Sequence, residues 1–333
     1  MKLPKKVAIR ECITREGIQP EEVFIPTEAK IWLIDRLSAA GFPSIEVTNL
    51  LPSQYNLQFS DAEEVLQKIK RKEGTEYFAA SLGASALERA IGACQKGYGP
   101  TAIGGVVAAS DYYCQHNLGA NAEELLKLIS EWHKMASDVG LGYGVGIMTA
   151  WGYPIDGLIP LDKTLSLAEK LVRIGVDSLS YADTTGEGTP DRVYELFSRS
   201  KRSFPDVKHG AHFHDLRGWG IANCVAALEA GAERIDTSIG GVGGQMANIL
   251  NKVPIPGIAN HEKPSDLGGN ICAEDLLVML ERMGIATGIN VDAVMEIGKV
   301  TERILERKLR SRCLRTEDPL NRIGERLNRV ISR

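Results

Sequence analysis

The chain has 333 residues, 44% of them hydrophobic and 25% charged, a composition suited to one large domain with a well-buried core. Its net charge of −4 offers no basic field for nucleic acid, and no apolar run approaches the roughly 20 residues of a membrane span. The first twelve residues, MKLPKKVAIREC, lack the features of a signal or transit peptide, so a cytoplasmic protein is expected. The six cysteines form no C-x-x-C pair and read as free thiols.

Short β-branched runs alternate with amphipathic stretches along the whole chain. The first four strands are expected over Val7–Cys12, Ser44–Asn49, Tyr77–Leu82 and Ala102–Ser110. Four more are expected over Tyr143–Trp151, Ser178–Thr184, Lys208–Asp215 and Arg234–Gly240. Helices fall between them near 27–40, 60–72, 84–98, 121–139, 161–174, 190–203 and 219–231, with another at 273–284. Asn121 stands three residues before Glu124 in the manner of a capping box, and Thr189 with Pro190 marks a further helix start. Eight β–α units in series point to an α/β fold, a (β/α)8 TIM barrel over residues 1–289. An open doubly wound sheet would carry a Gly-rich turn after an early strand, and the first strand here runs into ITREG. Residues 290–333 are expected to be a helical extension packed on the barrel, with a polar, Arg-rich end.

A barrel places its chemistry at the C-terminal ends of the strands. Arg15 and Glu16 follow the first strand, either as a metal ligand beside a cation or as a surface ion pair. Glu46 lies inside an apolar strand, where a carboxylate is costly unless paired, so it is expected to face the barrel mouth and hold Arg15. Asp183 ends the sixth strand, to bind a metal, orient a ligand or cap the turn. His212 and His214 are spaced i, i+2, which directs both imidazoles to one face of a strand and one ion. Glycines 240, 241, 243 and 244 suit an anion cradle or a lid hinge. The long segment 245–270 is expected to be a lid, with His261 or Glu262 as a proton source.

Together the segments REGIQ (15–19), SIEVT (44–48), WGYP (151–154), ADTTG (182–186), GTP (188–190), HFHD (212–215), GGVGG (240–244) and GGN (268–270) resemble the DRE-TIM metallolyases, and among them the 3-hydroxy-3-methylglutaryl-CoA lyases. The resemblance implies a Mg²⁺- or Mn²⁺-dependent carbon–carbon lyase that cleaves a 3-hydroxyacyl-CoA to acetyl-CoA and an oxo product. It implies Glu16, His212, His214 and Asn270 as metal ligands, Arg15 as the group that neutralises the enolate, and Glu46 as its brace. Asp183 and Thr184 would contact substrate or metal-bound water, with His212 a further candidate for the catalytic base. Gln19, Gly243 and Gly244 would line the acyl-CoA side, and the protein would be a homo-oligomer. Two positions depart from the family pattern: its R-D-G is R-E-G here, and Gln245 stands where the lyases carry a cysteine. A condensing synthase, an oxo-acid aldolase and an inactive metal-binding scaffold are the alternative readings.

Overall fold

A computed structural model describes residues 2–52, 56–81, 83–244 and 269–316, together with the short backbone pair Ile249–Leu250 and Val253–Pro254. Gln245, His261, Glu262, most of the expected lid and the end of the Arg-rich tail lie outside the described residues. Eight parallel strands close into a barrel: β1 (Ala8–Glu11), β2 (Ser44–Asn49), β3 (Glu76–Ala80), β4 (Ala102–Ala108), β5 (Gly142–Met148), β6 (Ser178–Asp183), β7 (Lys208–Phe213) and β8 (Arg234–Thr237). Each pairs with its neighbour in sequence and β8 pairs back onto β1, with Arg10 opposite Asp236. This is the (β/α)8 barrel that the alternation of elements predicts.

The outer layer comprises α1 (Thr27–Ala40), α2 (Ala62–Lys68), α3 (Ala84–Gln95), α4 (Ala122–Ser137), α5 (Leu161–Ile174), α6 (Pro190–Ser203), α7 (Gly220–Glu229) and α8 (Ala273–Arg282). In α4, Leu125, Leu126, Ile129 and Ala136 form the buried stripe, spaced to lie on one helical face. Each such leucine or isoleucine contributes roughly 1.5–3 kcal/mol on leaving water. The capping box forms as expected, with the Asn121 side chain accepting from the Glu124 amide and the Glu124 carboxylate accepting from the Asn121 amide. Thr189 precedes Pro190 at the start of α6, but its hydroxyl donates to Asp191 instead of accepting a backbone bond. A further helix, α9 (Val291–Ile304), packs against α1 and α8, and the amide of Asn290 bonds the carbonyl of Ala40 at the end of α1. No helix of the described residues is long and apolar enough to cross a membrane.

Seven of the eight strands end one to three residues short of expectation, and three of those ends have a clear local cause. β5 stops at Met148 because Thr149 has a positive φ of 53°, after which Gly152–Tyr153 and Gly157–Leu158 form a small hairpin. β7 stops at Phe213, and His214 makes an isolated antiparallel bridge with Asn270 instead. β8 stops at Thr237, since Gly240 with φ 63° turns the chain into Ile239–Gly241. These terminations lie at the mouth of the barrel. In β2 a bulge between Glu46 and Thr48 shifts the register against β3 at the same level.

Candidate active site

After β1 the chain makes one wide helical turn, Ile13–Gly17, that carries Arg15 and Glu16 over the mouth. Glu11, the last residue of β1, fixes that turn. Its carboxylate accepts from the amides of Ile13 (3.1 Å) and Ile239 (2.8 Å) and from the Thr237 hydroxyl (3.0 Å). The glycine-rich turn after β8 lies against it. A Cβ at Gly243, where φ is +93°, would stand 2.7 Å from the carbonyl oxygen of Glu16, so only glycine allows this approach.

Glu16 meets both histidines. Its Oε1 lies 2.8 Å from His214 Nε2, and its Oε2 lies 3.2 Å from His212 Nε2. The two Nε2 atoms are 3.1 Å apart. The extra methylene of glutamate therefore does not remove the acid from the histidine pair. His214 sits one residue beyond β7, yet the chain stays extended and both rings face the same way. One ligand atom from each of Glu16, His212 and His214 falls within a 4.8 Å cluster.

The outer bonds of the rings decide what this cluster can hold. His214 Nδ1 donates to the Thr184 carbonyl at 2.8 Å, and a carbonyl can only accept. His212 Nδ1 lies 3.2 Å from Asp236 Oδ2, and Asp236 Oδ1 accepts from Arg234 Nε at 2.8 Å. In the neutral rings both Nε2 lone pairs then point at the carboxylate of Glu16, acceptor against acceptor. A proton or a cation must occupy the space between them. Asn270 is paired with His214 across the bridge, which puts its side chain on the same face, and its Oδ1 and Nδ2 are buried without a hydrogen-bond partner. One carboxylate, one amide oxygen and two imidazoles fit a divalent ion of the Mn²⁺ or Mg²⁺ type better than a closed thiolate zinc site.

The electrostatics agree with a cation-binding centre. Burial alone would push the Glu16 carboxyl up, but the imidazoles of His212 and His214 hold it well below the usual range. Burial likewise opposes charge on His212, yet Glu16 and Asp236 raise it to about 10. Arg15 completes the centre, with Nη1 3.3 Å from Glu16 Oε2 and Nε 3.4 Å from Glu46 Oε1. Glu46 thus faces the mouth and pairs with Arg15, and burial together with the nearby Glu16 charge raises its carboxyl despite that partner.

Other expected residues sit differently. Gln19 and Gly244 line the same cavity as Arg15, Glu16, Glu46 and His212, whereas Gly243 backs onto the Glu16 turn. Asp183 and Thr184 do not line that cavity. Both carboxylate oxygens of Asp183 accept backbone amides, from Glu187 (2.7 Å) and Gly188 (3.0 Å), which is the turn-capping arrangement. The Thr184 hydroxyl accepts from the Thr149 amide, and its carbonyl orients His214. Glu11, Asp236, Arg10 and Arg234 were not singled out from the sequence. Asp236 is a carboxylate inside a strand, the same signal that marks Glu46.

The HMGL-like family model matches residues 6–301. The chain is 31% identical to the mitochondrial hydroxymethylglutaryl-CoA lyase of Bos taurus, over 93% of this chain and 89% of that protein. It is 31% identical to the hydroxymethylglutaryl-CoA lyase YngG of Bacillus subtilis, over 94% of this chain and 98% of that protein. Among solved structures, the Bacillus subtilis HMG-CoA lyase superposes with a TM-score of 0.84 at 30% identity, covering 95% of this chain and 99% of that one. An HMG-CoA lyase from Acinetobacter baumannii, in complex with coenzyme A and 3-methylmalate, gives 0.82 at 27% identity, covering 94% and 95%.

Proposed function

The chain belongs to the HMGL-like family and is a carbon–carbon lyase, and from that premise we propose that it cleaves a 3-hydroxyacyl-CoA of the 3-hydroxy-3-methylglutaryl type with the help of Mg²⁺ or Mn²⁺. The observation that carries this reading is the Glu16–His212–His214 cluster beside Arg15. The HMG-CoA lyase solved with coenzyme A supports an acyl-CoA as the substrate class.

In the reaction the carbinol O–H loses its proton as the C2–C3 bond breaks. C3 becomes a ketone carbon, the bonding pair passes to C2 and the thioester carbonyl as an enolate, and a proton then returns to C2. The products are acetyl-CoA and an oxo acid. Glu16, His212, His214 and Asn270 would hold the divalent ion, which would supply Lewis acidity when bound. Arg15 brings a fixed cation to the place where the enolate charge develops, and Glu46 keeps its guanidinium aimed there. Asp236 and the Thr184 carbonyl hold the two imidazoles in the tautomer that frees Nε2.

His212 has both ring nitrogens engaged, and the oxygens of Asp183 are bonded to backbone amides away from the cavity. Of the carboxylates on the described cavity wall, Glu16 and Asp236 serve the histidines, which leaves Glu46 to take the carbinol proton. The test is a coupled assay for acetyl-CoA released from 3-hydroxy-3-methylglutaryl-CoA, with and without added Mn²⁺. Metal-dependent release is expected. Release of free CoA without acetyl-CoA, or no turnover at any metal concentration, would overturn the reading.

A further inference from the structure

The interior of this barrel is unusual in what fills it. A TIM barrel ordinarily packs its axis with layers of bulky branched side chains. Here the inward positions of β4, β5 and β6 include Gly104, Gly144, Gly146, Ser178, Ser180 and Ala182, and they form the lower wall of the same cavity, about 220 Å³ in all, whose upper wall carries Arg15, Glu16, Glu46 and His212. The cavity is deep. Ala182 is in register with His212, while Ser178, four residues lower on the same strand, is in register with Gly144. Four residues span about 13 Å of strand, or about 11 Å along the axis of a barrel whose strands tilt by some 36°.

Two of these small residues are explained by packing alone. A Cβ at Gly104 would enter the ring of Phe78, and one at Gly144 would lie 2.7 Å from Ser178 Oγ. Gly146 is different. A Cβ there would meet only ordinary contacts, Val106 Cγ1 at 3.6 Å and Met148 Sδ at 3.9 Å, and its φ lies outside the left-handed range. Neither the backbone nor a neighbour demands glycine at this position, so any larger residue would simply fill the shaft.

The charge on the opposite wall is neutralised in pairs. Arg10 bonds Glu76 at 2.7 Å and lies over the Phe78 ring, Arg234 bonds Asp236 at 2.8 Å, and Arg15 is shared between Glu16 and Glu46. Among the described residues, each arginine of the wall has a carboxylate partner, which argues against a further anionic group in the shaft and for a slender neutral one.

We propose that this shaft is an acyl-chain pocket: the substrate's carbinol carbon carries, in place of a methyl group, a neutral chain of about five carbons, short enough to lie within the roughly 11 Å depth of the shaft. Gly146 sets how far that chain descends. The inference rests on the lyase reading for the identity of the reacting centre, and binding tests it independently of turnover. 3-Methylglutaryl-CoA and 3-pentylglutaryl-CoA lack the carbinol oxygen and cannot be cleaved. Calorimetry on the Mn²⁺-loaded protein is expected to show the pentyl compound binding at least tenfold tighter than the methyl compound. Gly146→Leu should bring that ratio to one or below. Gly146→Ala, whose single added carbon has room, should lower it several-fold in a protein of wild-type fold. Equal affinities in the wild type, or a ratio untouched by both substitutions, would overturn the proposal. The matching 3-hydroxy compounds separate the two readings: preference without cleavage removes the lyase reading and leaves the pocket, while cleavage of both without preference does the reverse.

Discussion

His214 Nδ1 donates to the main-chain carbonyl of Thr184 at 2.8 Å, and this bond leaves the lone pair on Nε2, facing Glu16. Asp236 does the same for His212 through a side chain, which makes it open to substitution. Asp236→Asn lets an amide N–H face Nδ1 and releases the tautomer. Mn²⁺ affinity, read by EPR titration, is expected to fall about 10- to 100-fold, the usual scale for losing such an outer partner. An unchanged affinity would show that the ring needs no such support.

Arg15 and Glu46 are assigned to the chemical step and not to the ion. Arg15→Gln and Glu46→Gln should each lower kcat by roughly 10²- to 10³-fold, comparable to deleting one preorganised donor at a developing oxyanion. Mn²⁺ binding should stay within a few-fold of wild type in both. Loss of metal in parallel with kcat would instead make them part of the ion's support.

Gly243 is needed for the approach of the glycine-rich turn to Glu16. Alanine there combines a strained φ with a Cβ placed 2.7 Å from the Glu16 carbonyl oxygen. Gly243→Ala is expected to cost about 1–3 kcal/mol of stability and to weaken Mn²⁺ binding as the Glu16 turn moves. A variant as stable as wild type, by denaturant unfolding, would contradict this packing.

Glu11 is fully buried, and burial pushes its carboxyl from 4.5 to about 8 against the pull of its three hydrogen-bond donors. The folded state therefore retains a proton that the unfolded chain has already lost. Stability from this group is present below about pH 4.5, declines as pH rises toward 8 and levels off above it. The full effect is on the order of a few kcal/mol. Glu11→Gln should flatten the dependence of unfolding free energy on pH between 5 and 8, and an unaltered slope would assign the titration elsewhere.

The order of elements and the barrel were readable because each strand is a short apolar run and each helix has its own amphipathic stripe. Strand ends were less so. Thr149 with its positive φ and the turn at Gly240 are set by the mouth of the barrel and not by propensity. The pairing of Glu46 with Arg15 followed from the cost of a lone carboxylate in a strand, and the same argument applied to Arg234-Ile-Asp236 would have exposed the support of His212. Asp183 shows the limit of position alone: a strand-end acid is equally good at capping its own turn, and here both its oxygens do so. Glycines 142, 144 and 146 alternate along β5, a period that puts all three on one face. That the face turns inward, toward a cavity, depends on the closed barrel.

The central claim is that Glu16, with the two histidines, holds a divalent ion on which cleavage depends. The most direct measurement is Mn²⁺ binding and acetyl-CoA release on the same samples of wild type and Glu16→Gln, a change that keeps the side chain's size and removes its charge. The account predicts about one tightly bound Mn²⁺ per wild-type chain and no turnover after chelation. In Glu16→Gln it predicts metal affinity at least tenfold weaker, with activity partly restored by excess Mn²⁺. Full turnover in the chelated wild type, or wild-type Mn²⁺ affinity in Glu16→Gln, would contradict it.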